Sequence, residues 1–447
     1  MDWLGLSLSA NRRLRFGTIR VFLLLPVCFF LPASLANAEN AVSIGKESEL
    51  DFSAVMQRVR AASLALQRNE KLIESASANE SAVKSQAGAS LQLNQSLTGY
   101  YVSPFKQQHS LSVGGTLWDF GRQAAQELKA ASQRLVAEAQ SAEAEEILRV
   151  RTARLFAAVC SSEAVLSIAQ EQLRNAESKL KTVTAAYQRG ERPQSDVIKL
   201  KIELGKAQLF VRKSQDESSL LKTQLLLSSD LKPLPAESLA STRLRCLPQR
   251  TVAQWKSLLN EFSHDFKDAA VFVRLNAAKI SLEAELSALQ SDSYPLVNAS
   301  AGVQASGQLF PLKPDLTAQV NLQYSLPLSS LRDQRRTAVL AKVRENLLNR
   351  DEEMKIRAER LQQSKLRADG VLQQKELNKS QIELLLEYQK LVRTRYFAGR
   401  ASLLELTGTE DELLANRLEL TRLELALFVA AIDASEAGGG KNLEKIF

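Results

Sequence analysis

Residues 187–197 are YQRGERPQSDV and residues 396–406 are YFAGRASLLEL, and these two stretches reveal a duplication. The first stretch matches the second at a constant offset of 209 residues, through the pairs Tyr187/Tyr396, Gly190/Gly399 and Asp196/Glu405. The same offset relates Leu111, Val113 and Leu117 to Val320, Leu322 and Leu326. One offset therefore covers more than 80 residues without an insertion, which predicts two copies of one structural unit.

Each unit contains a predicted pair of β-strands, over residues 89–118 and 294–328. From residue 297 to residue 309 the odd positions are apolar or small, and the even positions are Ser, Asn, Gln or Gly. A period of two places each set on one face of a strand. The uncharged polar face and the strand length are typical of membrane-spanning strands, although hairpins of a soluble sandwich are the alternative. Candidate interfacial aromatics near the strand ends are Tyr100, Tyr101, Phe105 and Trp118.

Four strands are too few to close a barrel, since barrels have at least about eight strands. An open sheet edge is not tolerated in lipid. If these strands enter a membrane, the barrel must therefore be shared between subunits, with eight strands from two chains or 12 from three.

Long helices follow both strand pairs. Residues 122–188 contain neither Pro nor Gly, and the repeat at 331–397 contains only Gly370. A helix of that length extends about 100 Å. Apolar residues spaced alternately by three and four predict a coiled-coil seam with shorter returning helices at 196–228 and 402–434. The seam residues of the first unit are Leu166, Ala169, Leu173, Ala176, Leu180, Val183 and Tyr187.

The remaining segments set the predicted domain boundaries. Residues 1–38 have a basic start, an apolar run and an Ala36-Asn37-Ala38 cleavage site, which predicts a secretory signal peptide. Lipidation at Cys28 is disfavoured because Val27 is not small. The first repeat is then 39–228, a Pro-containing linker 229–250, the second repeat 251–434, and a flexible tail 435–447.

Composition excludes several functions. The 447 residues include only 2 His and 3 Cys, which argues against a His-based metal centre or catalytic site. We therefore predict no catalytic residue, no metal site and no cofactor. Part of the net charge of +8 belongs to the signal peptide, and the rest is mild for the chain length, so nucleic-acid binding is also disfavoured. A disulfide between Cys160 and Cys246 is possible, but inert thiols are the favoured interpretation.

The chain resembles the TolC family of bacterial outer-membrane efflux proteins over residues 50–433. The resemblance rests on the duplication, on residues 117–122 (LWDFGR) at the entry to the long helix, and on the two Gly-containing turns. It implies a mainly α fold with membrane β-structure: a homotrimer with a 12-stranded outer-membrane β-barrel, four strands per chain, continued by a periplasmic α-helical barrel of coiled-coil hairpins. It also implies a passive duct for efflux or type I secretion, with outer-membrane lipid, a periplasmic adaptor and an inner-membrane ABC, RND or MFS pump as partners.

The resemblance further implies that the two turns are the periplasmic tips. The expected tip and adaptor-contact residues are Arg189, Gly190, Arg192, Pro193, Gly399, Arg400 and Ser402. Asp196 and Glu405 match acids that line or brace the closed aperture in the family, and both would also lie in the first turn of the returning helix, where Ser195 or Ser402 is a candidate cap. The chain departs from the family at Ala401 and Gly408, where some members carry a basic and an acidic residue.

The alternative functions are a periplasmic coiled-coil adaptor or a structural protein. An adaptor is expected to have one helical hairpin flanked by mixed β-domains, rather than two hairpins at a fixed offset. A surface fibre would not need the four strands. An enzyme is disfavoured because motifs such as G-x-S-x-G and H-E-x-x-H are missing from the sequence.

Overall fold

The computed structural model describes residues 51–86, 90–100, 103–228, 246, 250–262, 269–292, 294–308, 313–324, 330–440 and 443–447. The predicted signal peptide with Cys28, and most of the predicted linker, lie outside the described residues.

Helices dominate the described chain. In order they are α1 Phe52–Ala62, α2 Leu64–Gln86, α3 Arg122–Gln188, α4 Gln194–Ser228, α5 Val252–Glu261, α6 Ala270–Ser291, α7 Leu331–Phe397 and α8 Leu403–Ala437, followed by a short 3₁₀ helix at Leu443–Lys445. The strands are β1 Ser90–Tyr100, β2 Ser103–Trp118, β3 Leu296–Gln308 and β4 Lys313–Gln323.

The duplication is visible in the element bounds. Helices α3 and α7 each have 67 residues, and α4 and α8 each have 35. Their first residues are again separated by the sequence offset of 209. Helix α7 continues through Gly370 without a break, because a glycine inside a long, packed helix costs only about 1 kcal/mol.

The four strands form one antiparallel sheet in the order β1-β2-β3-β4. The register places Leu93 opposite Leu111, and Leu111 opposite Val303. Val303 in turn lies opposite Leu316. The apolar residues, odd-numbered on β1 to β3 and even-numbered on β4, therefore form a continuous row across all four strands, and these four side chains are exposed. The predicted alternation is confirmed, and the apolar face of the sheet has no covering layer among the described residues.

The polar face of the sheet is formed by the even-numbered residues of β1 to β3 and the odd-numbered residues of β4. Ser112 pairs with Gly302, and Gly302 pairs with Thr317. A Cβ at Gly302 would lie 2.5 Å from the Leu111 carbonyl oxygen and 2.7 Å from the Ser112 Cβ. Gly302 is thus required where β2 of the first repeat meets β3 of the second.

The junction between β2 and α3 is held by Asp119. Its carboxylate accepts hydrogen bonds from the backbone N–H of Gly121 at 3.0 Å and of Gln123 at 2.6 Å. Phe120 has a positive φ of 53° and stacks on Tyr294 at 5.0 Å, while Trp118 is exposed. Of the other predicted interfacial aromatics, Tyr101 and the side chains of Tyr100 and Phe105 lie outside the described residues.

Two antiparallel helical hairpins extend from the sheet, α3 with α4 and α7 with α8. The first hairpin has an apolar seam in which Ala169, Val183 and Leu200 are buried. The second seam is more polar, since it buries Lys375 and Asn378, and Asn378 donates to Asn416 at 3.2 Å. Alanines in both hairpins allow the helix axes to approach closely.

The largest hydrophobic core joins α1, the middle of α3, α5, α6 and the end of α8. Phe447 stacks on Phe52 at 4.1 Å, and Leu443 and Ile446 are buried in the same core. The prediction of a flexible tail over 435–447 is therefore wrong: α8 continues to Ala437, and Leu443 and Ile446 pack in the core.

Cys160 and Cys246 form a disulfide with a Cα–Cα distance of 5.3 Å. The favoured interpretation of inert thiols is therefore wrong. The bond fastens one residue of the inter-repeat linker to the middle of α3. The linker composition gave no sign of this contact, because nothing in a Pro-containing segment indicates where it returns to the helices.

Within the part of the chain that the structure describes, one helix, α3, contains an 18-residue stretch with mean hydropathy 1.3, long and apolar enough to cross a membrane by composition. Nearly half of that stretch is buried inside the chain. Ala153, Phe156 and Val159 of α3 belong to the large core. Packing within the protein accounts for an apolar helix of this kind.

Candidate functional site

Each hairpin turns at a glycine. Gly190 and Gly399 have φ values of 77° and 75°, in the left-handed region that favours glycine. Gly190 N–H donates to the Tyr187 carbonyl at 2.9 Å, and Glu191 N–H donates to the Ala186 carbonyl at 2.9 Å. The equivalent bonds recur around Gly399, so both helices end in the same Schellman motif.

The two returning helices begin differently. Ser402 caps α8, since its Oγ accepts a hydrogen bond from Glu405 N–H at 3.1 Å. Ser195 lies inside α4, which begins at Gln194 directly after Pro193. A capping role for Ser195 is therefore wrong, and proline at this position sets the backbone for the first turn instead.

Tyr396 joins the two hairpins at their tips. Its side chain is fully buried, and its hydroxyl donates to Asp196 Oδ2 at 3.0 Å. Burial and this hydrogen bond raise the pKa of Tyr396 to about 12. The Arg192 guanidinium lies 4.0 Å from the Tyr396 ring centroid and donates to the Tyr396 carbonyl oxygen. Arg192 and Asp196 of the first hairpin thus enclose one tyrosine of the second.

An apolar cluster surrounds this contact. It contains buried side chains from all four helices: Val183, Val197, Leu200, Val392, Tyr396, Leu403 and Leu406. The tips are therefore packed against each other within one chain, and the polar contacts around Tyr396 are shielded from water.

The two acids that are equivalent by repeat are not equivalent in structure. Asp196 is buried against Tyr396, whereas Glu405 is exposed and accepts only a weak contact from the Tyr388 hydroxyl at 3.4 Å. The first acid stabilises the packing of the tips. The second is available to solvent.

No family model and no curated protein sequence matches this chain. Solved structures do match. The chain superposes on CusC, which is described as forming a transmembrane channel. The TM-score is 0.72 and the sequence identity is 15%, and the match covers 89% of this chain and 95% of that chain. For the outer membrane protein VceC of Vibrio cholerae the TM-score is 0.72 with 16% identity, covering 87% of this chain and 96% of that chain.

A third match is the outer membrane channel CmeC of Campylobacter jejuni, with a TM-score of 0.70 and 11% identity over 91% of this chain and 94% of that chain. The chain has the fold of these outer-membrane channels. The resemblance to the TolC family drawn from the sequence is thereby confirmed for the fold.

Within this outer-membrane channel fold, the other predicted tip residues lie at the far ends of the hairpins. Arg189 is exposed and forms two hydrogen bonds with the carboxylate of Glu191, at 2.7 and 2.9 Å. Pro193 and Arg400 are also exposed, and Ala401 is half-buried in the apolar cluster. Arg192, another expected adaptor contact, is half-buried with its guanidinium against the Tyr396 ring, and the adaptor contact stays a prediction.

Tyr396 is the site residue that the sequence reasoning did not select. It belongs to the repeated pair Tyr187/Tyr396, but its role depends on a contact across 200 residues of sequence. The only indication in the sequence that this residue has a role was the tyrosine at the equivalent position of both repeats. The structure separates the two, since Tyr187 is 40% exposed and Tyr396 is buried.

Among the residues that the structure describes, no group of three or more His, Cys, Asp or Glu side chains is placed to hold a metal ion. The tip geometry supports packing and hydrogen bonding between hairpins.

We expect Tyr396→Phe to loosen the tips without unfolding the chain. The substitution removes the hydrogen bond to Asp196 and leaves a buried carboxylate with one donor fewer, at a cost of about 1 to 3 kcal/mol. Amide hydrogen exchange in residues 190–200 and 392–406 should accelerate, while exchange in the large core stays unchanged. The matched control is Tyr388→Phe, whose hydroxyl contact is long and exposed. Equal acceleration in both variants would contradict the role of the Tyr396 hydroxyl.

Proposed function

We propose that this protein is a passive exit duct in the bacterial outer membrane that extends into the periplasm. One observation carries the proposal: an open four-stranded sheet with a continuous exposed apolar face is joined directly to helices about 100 Å long. Such a face is stable in lipid, and its opposite face of Ser, Asn, Gln and Thr suits a water-filled lumen.

The sheet supports an oligomer. Strands β1 and β4 are its edges, and unpaired backbone groups at an edge cost several kcal/mol each in lipid. Pairing β4 of one chain with β1 of the next removes every edge when the ring closes. The resemblance to the TolC family favours three chains and 12 strands over two chains and eight.

The helices support the same ring. Exposed apolar residues on α4 lie on one stripe, and five of those on α7 lie on another. We call these the α4 stripe (Ile198, Ile202, Leu209, Leu220 and Leu227) and the α7 stripe (Leu366, Leu377, Leu384, Tyr388 and Leu391).

The two stripes are complementary. Helix α4 runs away from the tip and α7 runs toward it, so α4 of one copy would lie antiparallel to α7 of the next. Counted from the tip, the α4 and α7 side chains then interleave along one seam. Exposed lysines flank the α4 stripe (Lys199, Lys201 and Lys213), and exposed glutamates flank the α7 stripe (Glu376, Glu383 and Glu387). Unlike charges at such positions specify partner and orientation.

We further propose that the tips contact a periplasmic adaptor coupled to an inner-membrane pump of the ABC, RND or MFS type. The exposed tip residues Arg189, Pro193 and Arg400 are the candidate contacts. Glu405, exposed in the first turn of α8, is the candidate for lining the aperture, and Asp196 braces the tips through Tyr396. Energy for export by efflux or type I secretion would come from the pump.

A soluble adaptor is the main alternative. It is disfavoured because the apolar sheet face carries exposed leucines and valines on every strand, such as Leu93, Leu111 and Leu316. In an aqueous compartment, an apolar face of this extent would be covered by other elements.

The proposal is tested on detergent-extracted protein. We expect the mass of three chains and ion conductance in planar lipid bilayers. A monomeric protein that stays in the soluble periplasmic fraction would refute the duct.

A further inference from the structure

A cavity of about 180 Å³ lies where α3, α5, α7 and α8 meet two residues from the end of the predicted linker, Cys246 and Arg250. The disulfide borders one side of the cavity, and the large hydrophobic core borders the other. Lys375 of α7 lines the cavity and precedes Gly399 by 24 residues, so the second tip is about 36 Å away along the helix. The cavity is therefore separate from the tip contacts described above.

Lys375 is the most deeply buried charged residue of this cavity. Its side chain is 6% exposed, and its one charged partner among the described residues is Glu424, at 2.9 Å. An ammonium group carries three hydrogen-bond donors. Lys375 can therefore bind a second acceptor in the cavity while it keeps its contact with Glu424.

Arg250 is the second cation that lines the cavity. It is half-buried, and its guanidinium lies 5.4 Å from the ring centroid of Trp255. The guanidinium also donates a hydrogen bond to the Lys445 carbonyl oxygen at 2.6 Å. These contacts hold the guanidinium in place without neutralising its charge, because neither partner group is an anion.

The charges that line the cavity do not balance. Lys375 and Arg250 are positive, and Glu424 is the one acid among the described lining residues. The nearby Glu163 is already paired with Lys222 at 2.8 Å. One positive charge is therefore left over, and a buried charge without a counter-charge is costly. The cavity thus favours the binding of one monovalent anion.

The opposite wall of the cavity is apolar. Trp255, Leu427 and Phe428 line it, and all three side chains are buried. Trp255 packs edge-on against Phe428 with a centroid distance of 4.8 Å. Such a wall suits the ring or chain of an organic ion rather than a bare inorganic one. Because sites for drug-sized ligands have about 300 Å³ or more, the ligand here has a single ring or a short chain.

The disulfide prepares this site for a ligand. Cys160 and Cys246 both line the cavity, and their bond fixes the linker residue against α3. The part of the wall that comes from the linker is therefore in place before a ligand arrives. A preformed wall lowers the entropic cost of binding.

We propose that this cavity binds a small organic monocarboxylate, with its carboxylate at Lys375 and Arg250 and its apolar part against Trp255 and Phe428. The site goes beyond the proposed duct function, since it requires neither conductance nor an oligomer. The ligand contacts α3 of the first repeat and α7 and α8 of the second. Its binding therefore stabilises the folded state in which these helices are packed together.

The test is a titration of the purified mature chain, from residue 39, with cyclohexanecarboxylate, which has one ring and one carboxylate. Trp118→Phe leaves Trp255 as the single tryptophan of this chain, so tryptophan emission reports on the cavity. We expect a saturable change with a Kd of about 0.1 to 1 mM, as suits a ligand of about nine non-hydrogen atoms. Cyclohexanecarboxamide, an uncharged analogue of the same shape, should bind about 10-fold more weakly or worse.

Two variants in this background test the cations. Lys375→Met and Arg250→Gln should each raise the Kd for the carboxylate by about 10-fold or more, because each removes one charge-assisted contact. The matched control is Lys379→Met, the same substitution about one turn further along α7 at an exposed residue outside the cavity, which should keep the wild-type Kd. Arg250→Gln decides the question if Lys375→Met fails to fold, since Arg250 is only half-buried.

Several results would overturn the site. They are an emission that shows no saturable change, equal affinity for the carboxylate and the carboxamide, and an unchanged Kd in Arg250→Gln. Tighter binding of inorganic phosphate than of cyclohexanecarboxylate would also overturn it, since the apolar wall would then play no part. The measurement is independent of the duct, because a protein that conducts nothing can still bind the ligand and a conducting protein can fail to bind it.

Discussion

Replacing Leu384 and Leu391 by glutamate is expected to leave the chain folded and abolish the oligomer. Both side chains are more than half exposed in the single chain and lie on the α7 stripe. In the proposed ring they are buried against α4 of the neighbour, where each leucine contributes about 1.5 to 3 kcal/mol. Two unpaired carboxylates would add a desolvation cost on top of that loss. Size-exclusion chromatography with light scattering should report single chains.

The matched control is Lys379→Glu with Lys390→Glu. These residues are exposed on the same helix but lie about 130 to 150° around it from the centre of the α7 stripe. This variant introduces two glutamates and should remain oligomeric. If the leucine variant also remains oligomeric, α4 and α7 do not form the seam between copies. That result would not contradict the shared barrel, which is argued from the edges of the sheet.

The second large effect is expected for Gly302→Val. Any Cβ at this position meets the Leu111 carbonyl oxygen at 2.5 Å, and backbone cannot move aside as a flexible side chain can. Overpacking typically costs about 1 to 3 kcal/mol, and a backbone clash in the centre of the sheet belongs at the upper end. Because β2 and β3 are where the two repeats pair, losing their register should leave two separate strand pairs. We expect no protease-resistant barrel and no conductance.

Ser306→Val is the control for this prediction. It lies on the same face of β3, four residues away, and is exposed. The same valine side chain there should leave the barrel intact. A Gly302→Val protein with a wild-type barrel would show that the close approach of β2 and β3 is not a requirement of the fold.

The fold was predictable because its determinants are periodic. The offset of 209 residues, the alternation along Val297–Leu309 and the seam spacing around Ala169 are each properties of sequence order. In a long helix without Pro, the same spacing of apolar residues recurs over many turns, so the pattern is easy to recognise. The two tip glycines were equally visible, because only a left-handed turn explains a glycine between two long helical patterns.

The contacts between hairpins were not predictable in the same way. Asp196 and Glu405 occupy equivalent repeat positions, yet only the first is buried, because Tyr396 comes from a different hairpin. Lys179 has the sequence context of an ordinary surface lysine, and its burial depends on how α8 crosses α3. The return of residues 443–447 to the core likewise follows from packing that no local pattern encodes.

The bond between Cys160 and Cys246 has a topological consequence. Together with the chain between the two cysteines, it closes a covalent ring that contains α3 from Cys160 onward, the first tip and all of α4. A protease that cuts once anywhere inside this ring leaves both new ends attached to the same molecule. The first tip therefore stays covalently attached to the protein after a single cut, until a reductant breaks the disulfide.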